Sequence, residues 1–237
     1  MKIVQLQGIR SGVGTSFIAA ALAYRFSMSN VKVLAVNANP SPFSLDQFFN
    51  LPLTLTESWF ADVNVGINLF DHCYRYNDLL DVLPASEQVK PNNGDWELAF
   101  KALIHEAEFR YDFLVIDAGC LSSGAAKSLL SKASIVIDVL ESEANSLMRL
   151  IRHRTQVNNE YYLFNKVWPL SRTQSDVSAF IQRYPQFVER LIPLSVPYDE
   201  YALQSSLYKQ PITQAMLFSQ SAEQINHLAM WVKQKLL

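Results

Sequence analysis

This chain of 237 residues has few glycines, few cysteines and a small net charge. It has seven glycines, two cysteines and a formal net charge of -2, from 20 basic and 22 acidic residues. Cys73 and Cys120 lie far apart and lack the close Cys or His spacing of a zinc site, and two thiols cannot form a disulfide framework. The near-neutral net charge does not attract the whole protein to DNA or to an anionic membrane, although a local patch of basic residues is compatible with this net charge. We therefore expect no nucleic-acid partner.

Long hydrophobic runs are also absent. No stretch approaches the roughly eighteen apolar residues that a membrane span requires. Met1 to Leu6 carry no cluster of positive charge ahead of an apolar segment of signal-peptide length. We expect a cytoplasmic protein without a transmembrane segment. If the protein acts at the inner membrane, we expect partner proteins to recruit it there.

Hydrophobic residues make up 49% of the chain and charged residues 18%, enough to bury a full core, and we expect a single nucleotide-binding domain over 1–237. Short apolar runs alternate with longer segments of helical period, which predicts an α/β fold with a mostly parallel twisted sheet and helices on both faces. The predicted strands are Lys2 to Gln7, Lys32 to Val36, Ile67 to Phe70, Leu79 to Leu83, Phe113 to Asp117, Ile135 to Val139, Glu160 to Phe164 and Arg190 to Leu194. The predicted helices are Ser16 to Ser29, Trp96 to Phe109, Ala125 to Lys132, Asn145 to Thr155, Gln174 to Arg183, Glu200 to Tyr208 and Thr213 to Lys235.

Three of the seven glycines fall in one short segment, from Gly8 to Gly14. This segment ends an apolar strand and opens an alanine-rich helix, Phe17 to Phe26. Glycines leave room for an oxyanion, and the backbone N–H groups of the turn and of the helix N-terminus supply positive potential. The pattern predicts a phosphate-binding loop, with Ser16 placed to reach Mg²⁺.

The loop Arg10-Ser11-Gly12-Val13-Gly14-Thr15-Ser16 resembles the deviant Walker A motif of the MinD/ParA ATPases, which are P-loop NTPases. Two positions depart from that motif. Thr15 replaces the lysine that embraces the β- and γ-phosphates, and Arg10 replaces the signature lysine that reaches across a nucleotide-sandwiched dimer. Arginine and threonine at these positions, followed by Ile18 to Ala23, are most similar to the BcsQ family of cellulose biosynthesis proteins.

The resemblance implies a set of ATP and Mg²⁺ ligands but assigns no catalytic residue. Ser16 and Asp117, which ends the apolar strand Tyr111 to Asp117, are implied as the metal-site residues. Asn165 is implied to read the adenine, and Pro197 and Asp199 belong to the loop that closes over the base. The phosphates are implied to bind Arg10, Ser11, Gly12, Val13, Gly14, Thr15 and Ser16.

Two asparagines, Asn37 and Asn39, stand where the similar switch I segment carries two aspartates. An amide cannot act as a carboxylate base, so hydrolysis is expected to be impaired if Asn39 orients the attacking water. An ordinary turn before Pro40 explains the same residues equally well.

Two apolar features admit simpler interpretations than a ligand site. The stripe from Ala215 to Leu237 resembles a membrane-seeking tail in its spacing, but we expect it to face the core. The aromatic residues from Trp59-Phe60 to Tyr74 and Tyr76 are expected to form a partner surface or a local core.

The sequence leads to a main hypothesis and two alternatives. The main one is a regulatory or scaffolding protein that holds ATP and Mg²⁺ in a homodimer, with little hydrolysis, and assembles with other cytoplasmic components of a cellulose synthase secretion complex. The alternatives are an ATPase that cycles between monomer and dimer to localise cargo, and an interaction module that has lost nucleotide.

Overall fold

The computed structural model describes residues 1–41, 43–52, 58–60, 69–86, 88, 93–153 and 157–237. Within these ranges eight strands form one sheet. They are β1 (Lys2–Gly8), β2 (Val33–Asn37), β3 (Tyr74–Asn77), β4 (Leu80–Leu83), β5 (Phe113–Cys120), β6 (Ile135–Glu141), β7 (Glu160–Val167) and β8 (Leu191–Pro197).

Helices connect the strands and cover the sheet. They are α1 (Thr15–Ser27), α2 (Asn93–Ala107), α3 (Gly124–Leu129), α4 (Ala144–Arg152), α5 (Arg172–Ile181), α6 (Pro185–Val188), α7 (Glu200–Leu207), α8 (Ile212–Ala215) and α9 (Gln220–Lys235), with 3-10 turns at Leu45–Phe49 and Leu69–His72. Serine, aspartate or glutamate side chains cap several helix N-termini, whereas α1 has no side-chain cap. In the ranges that the structure describes, every helix is too short or too polar to cross a bilayer.

The strand order is β3-β4-β2-β5-β1-β6-β7-β8, and all neighbouring pairs are parallel except β3 with β4. Strand β1 lies between β5 and β6 at the centre, and every one of its residues after Lys2 is buried. Helices cover both faces of the sheet, so its central strands are buried on both sides, and in β1 the buried residues include the polar Gln5 and Gln7. Because β1, β2, β5 and β6 are parallel, their carboxyl ends meet at one edge, where ligands of open α/β sheets bind.

Two hydrophobic layers sandwich the sheet. On one face α1 packs with its residues Ile18 to Ala23 fully buried, and α9 lies alongside it. The small alanine side chains let α1 approach the sheet closely. On the other face α2 and α3 pack over β5 and β2.

An aromatic cluster holds Trp59 and Phe60 against α2. Trp59 is fully buried and contacts Phe60, Trp96 and Phe100, with ring centroids 5.5, 6.0 and 5.7 Å away. Its indole Nε1 donates to the carbonyl oxygen of Asn37 at 2.7 Å. The buried indole thus ties the distant helix α2 to the end of β2, and Trp59 and Phe60 form a local core.

The α/β architecture predicted from the sequence is confirmed, and the differences are local. The strand predicted at Ile67 to Phe70 is wrong in its described part, since Leu69 and Phe70 begin a 3-10 turn, while Ile67 and Asn68 lie outside the described residues. Thr155 at the end of a predicted helix also lies outside them. The final predicted helix is divided, because Met216 to Ser219 separate α8 from α9. The antiparallel edge strand β3 was not predicted, because a four-residue strand with one exposed and three half-buried side chains lacks an apolar run.

We predict that Trp59→Phe lowers the free energy of unfolding by about 2–3 kcal/mol, because it removes a buried hydrogen bond and leaves a cavity. Urea unfolding followed by circular dichroism measures the change. The matched control is Trp168→Phe at a side chain that is 53% exposed, where about 0.5 kcal/mol or less is expected. Equal losses in the two variants would contradict the anchoring role of Trp59.

Candidate nucleotide-binding site

The loop between β1 and α1 has the backbone of an anion cradle. Gly12 and Gly14 adopt positive φ angles of 84° and 91°, which side-chain-bearing residues rarely adopt. Gly14 is the N-cap of α1 and offers no side chain to the first-turn N–H groups. Because α1 runs for 13 residues from this uncapped end, its N-terminus offers donors and positive potential to an anion.

Gly8 allows the loop to fold back on the strand. A Cβ at this position would lie 2.6 Å from the carbonyl oxygen of Arg10, 2.7 Å from Thr15 Oγ1 and 2.8 Å from Val13 Cγ2. The side chains of Val13 and Thr15 are buried against this turn. Val13 therefore contributes its backbone to the loop surface, and the Thr15 hydroxyl packs beside Gly8.

Ser16 and Asp117, predicted as the metal-site residues, lie in direct contact. Ser16 Oγ donates to Asp117 Oδ2 at 2.5 Å, and the backbone N–H of Gly119 donates to Oδ1 at 3.0 Å. Burial raises the pKa of Asp117, while hydrogen bonds from Ser16, Gly119 and Asn39 partly offset that rise. A hydroxyl beside a buried carboxylate is a suitable pair for holding Mg²⁺ and its water.

Asn37 and Asn39 play different parts at the end of β2. Asn39 bonds to Asp117 and therefore lies at the proposed metal end of the site. The Asn37 amide instead donates to Ser44 Oγ and to Asp46 Oδ2, both at 2.8 Å. Burial raises the pKa of Asp46 to about 7 despite the bond from Asn37, and its Oδ1 is buried without a hydrogen-bond partner in the described part of the chain. Asp46 was not predicted from the sequence, because only the fold brings it beside Asn37.

Arg10 is held by two glutamates. Its Nη2 lies 3.0 Å from Glu141 Oε2 and its Nε 3.1 Å from Glu143 Oε1, while Nη1 donates to the carbonyl of Ser11. Burial alone would raise the pKa of Glu143, but hydrogen bonds from Ser146, Asn145 and Arg10 lower it to about 2. Arg10 thus points toward the end of β6 and the start of α4 in this arrangement.

Lys166 is a cation at the loop that sequence reasoning missed. Its Nζ donates to the carbonyl oxygen of Gly12 at 2.6 Å and to Glu141 Oε1 at 2.7 Å. The residue adopts a positive φ of 56°. In the sequence, the only indication of this role was that Lys166 directly follows Asn165, a predicted site residue. Lys166 therefore places an ammonium group close to the loop that lacks the usual lysine at Thr15.

Asn165 fastens the loop to β7. It is 2% exposed, and its Nδ2 donates to the carbonyl oxygen of Val13 at 2.8 Å. Beside it opens a cavity of about 180 Å³, whose lining includes Phe17, Phe48, Pro197 and Tyr198. Tyr198 stacks on Trp168 with a centroid distance of 5.6 Å. These aromatic walls suit a planar base.

Asp199 also lines this cavity but has structural partners. Its two carboxylate oxygens accept from the backbone N–H groups of Tyr201 and Ser221, at 2.9 and 3.1 Å. It therefore caps α7 and ties it to α9. The residues predicted for the site thus lie at one edge of the sheet. Among them, the Arg10 side chain is turned toward Glu141 and Glu143.

Comparison with known proteins places this geometry in a family. The family model described as "Cellulose biosynthesis protein BcsQ" matches residues 1–232. The chain belongs to the BcsQ family. The BcsQ protein of Escherichia coli K12 is 29% identical over 239 residues, covering 98% of this chain and 94% of that protein.

Solved structures show the same fold as this BcsQ family member. A ParA family ATPase from Chlorobium tepidum superposes with a TM-score of 0.78 at 20% identity, covering 97% of this chain and 98% of that one. The septum site-determining protein MinD from Pyrococcus horikoshii, solved with Mg-ADP, gives a TM-score of 0.74 at 18% identity, covering 98% and 96%. The predicted MinD/ParA fold and the resemblance to BcsQ are confirmed.

The raised pKa of Asp46 predicts a pH-dependent stability. The native state keeps a proton on Asp46 that the unfolded chain releases above its ordinary pKa of 3.8, so this residue's contribution declines as pH rises through about 7. Asp46→Asn is expected to remove that decline and to raise the free energy of unfolding at pH 8 by up to about 4 kcal/mol, at about 1.4 kcal/mol per pKa unit. Urea unfolding from pH 4 to 8 measures both proteins. The exposed control Asp176→Asn should follow the wild type, and an Asp46→Asn curve parallel to the wild type would contradict the prediction.

Proposed function

We propose that this BcsQ family member binds ATP with Mg²⁺ between two copies of itself and acts as a scaffold or regulator of cellulose secretion, with little hydrolysis. The observation that carries this proposal is the Ser16–Asp117 contact at the start of an uncapped helix behind a glycine loop. Phosphates would bind the N–H groups of the loop from Arg10 to Ser16. Ser16 and Asp117 would hold the metal, which neutralises phosphate charge when bound.

The base would enter the cavity beside Asn165. Tyr198 lines this cavity and is held by stacking on Trp168 outside it, and Pro197 and Asp199 also line the cavity. The Asn165 amide has a second N–H and an oxygen beyond its bond to Val13, and these match the amino group and a ring nitrogen of adenine.

Slow hydrolysis follows from the residues around Asp117. Asn39 stands where a carboxylate would orient the attacking water, and it is an amide. Asn37 is committed to Ser44 and Asp46. Thr15 supplies no charge to the phosphates, and Lys166 reaches the loop only at the Gly12 carbonyl. The nucleotide would thus serve as a structural ligand.

A second copy would meet the face that carries the loop. Ser11 and Gly12 are exposed, and Arg10 is partly exposed beside them. On ATP binding Arg10 would exchange Glu141 and Glu143 for phosphate, in its own subunit or across the dimer. We propose a cytoplasmic protein that partner components of a cellulose synthase complex recruit to the inner membrane.

One experiment separates the candidate functions. Purified protein is incubated with ATP and Mg²⁺, and bound nucleotide, dimer mass and phosphate release are followed together. Retained ATP in a dimer with negligible phosphate release supports the proposal. Steady turnover would instead support a cycling ATPase, and the absence of bound nucleotide would support an interaction module without nucleotide.

The Asn39→Asp variant tests the cause of slow hydrolysis. Restoring a carboxylate beside Asp117 is expected to raise the single-turnover rate of phosphate release by about tenfold or more, since a positioned base contributes about 10²–10⁴-fold in enzymes. The matched control is Asn158→Asp, the same change at an exposed residue, which should leave the rate unchanged. An unchanged rate in Asn39→Asp, with ATP still bound, would remove the proposed role of residue 39.

The Arg10→Ala variant tests the role of the guanidinium. Losing a charge-assisted contact to phosphate is expected to weaken ATP retention or dimer formation by about tenfold or more. Arg183→Ala, at an exposed site, serves as the control. Equal ATP retention and dimer mass in the two variants would show that Arg10 does not contact phosphate.

A further inference from the structure

A buried cluster of three metal-ligating side chains lies beside the phosphate loop and has no part in the function described above. Asp138 is on β6, Glu160 begins β7, and His153 is the C-cap of α4. Their side chains are 1%, 0% and 7% exposed. Three separate elements therefore direct ionisable groups at one enclosed point.

The ligand atoms are close enough to share one cation. One nitrogen or oxygen from each residue lies within 4.8 Å of the others. His153 Nε2 is 3.5 Å from Asp138 Oδ2 and is also paired with Glu160 Oε1. Two ligands about 2.0–2.1 Å from a tetrahedral zinc ion are separated by about 3.4 Å, so the His153–Asp138 spacing already suits a metal.

Asp138 Oδ2 is the observation that points to a missing ligand. It is buried and makes no hydrogen bond within the described residues. The other oxygen, Oδ1, accepts from Gln7 Nε2 at 2.7 Å, and Gln7 in turn accepts from Gln5 Nε2 at 2.7 Å. Gln5 Nε2 also donates to the carbonyl oxygen of Ala126. This chain of amides fixes the carboxylate with Oδ2 facing His153, as outer-shell bonds orient metal ligands.

The charge of the ionised cluster suits a cation. Two ionised carboxylates beside a neutral imidazole carry a charge of -2 in a buried place. A divalent cation bound by two carboxylates and a neutral imidazole gives a net charge of zero.

We propose that Asp138, His153 and Glu160 form a binding site for a divalent transition-metal ion of the zinc class. The mixed nitrogen and oxygen ligands suit zinc better than Mg²⁺ or Ca²⁺, which prefer oxygen alone. A fourth ligand would be water. The bond between His153 and Glu160 is replaced when the metal enters between them.

The cluster meets a surface pocket at His153, and a metal ion would arrive from that side. His153 lines a pocket of about 520 Å³ between α3 and α4, with Arg149, Arg152 and Lys127 also on its wall. These cations repel a metal ion at long range, so uptake is expected to be slow at low ionic strength and faster when salt screens them.

Cobalt spectroscopy tests the proposal directly. Chelator-treated full-length protein, free of nucleotide and Mg²⁺, is equilibrated overnight with Co²⁺ at physiological salt. One equivalent is expected to produce the intense visible ligand-field bands of four- or five-coordinate Co²⁺, and one equivalent of Zn²⁺ should remove them. Six-coordinate Co²⁺ at an oxygen site gives only weak bands, which distinguishes this site from the proposed Mg²⁺ site.

Variants then assign the ligands. His153→Gln and Asp138→Asn should each abolish the bands or weaken Co²⁺ binding by about tenfold or more, whereas the exposed control His105→Gln and the loop variant Ser16→Ala should keep them. Circular dichroism verifies that each variant is folded. Wild-type protein without intense bands, or bands that persist in folded His153→Gln, would overturn the proposal and leave a proton-sharing cluster in its place.

Discussion

The close approach of the phosphate loop to the end of β1 is the constraint on which the rest of the site depends. With three atoms within 2.8 Å of the position that a Cβ would take, residue 8 has to be glycine for the loop to turn here. That turn buries Val13 and Thr15 and leaves the N-terminus of α1 facing the sheet edge. Ser16 reaches Asp117 only because α1 starts at this place, so the proposed metal site depends on the same turn.

Glu141 and Glu143 set the electrostatics around the loop. Arg10 pairs with both glutamates, and Lys166 shares Glu141 with it. The exposures of Arg10 and Glu141 are intermediate, 24% and 18%, so these pairs are partly screened and are worth little as stability. Their importance lies in position, because they hold two cations beside the proposed phosphate site and balance positive charge with negative charge at that edge of the sheet.

The sequence was sufficient for the fold and for the local part of the site. The glycine loop, the strand that carries Asp117 and the burial of the last helix follow from patterns within a few residues. The structure has each of them, although this strand continues past its predicted end to Cys120. Lys166, Glu141 and Asp46 were not found, because a charged residue reveals its partner only when strands distant in sequence become neighbours. From its residue type and its place in the loop, Arg10 was predicted to bind phosphate. In the structure its guanidinium instead bonds to two glutamates, one from β6 and one at the N-cap of α4.

The bonds from β7 to the loop also bear on how the protein folds. The side chains of Asn165 and Lys166 donate hydrogen bonds to the carbonyl groups of Val13 and Gly12, which lie 152 and 154 residues earlier in the chain. Contacts of such sequence separation form late, since a long loop must close before they are made. During synthesis the glycine loop leaves the ribosome well before β7, which carries Asn165 and Lys166, has been made. A half-made chain therefore has the sequence of the glycine loop without the contacts that hold it, and the shape of the loop is a property of the finished chain.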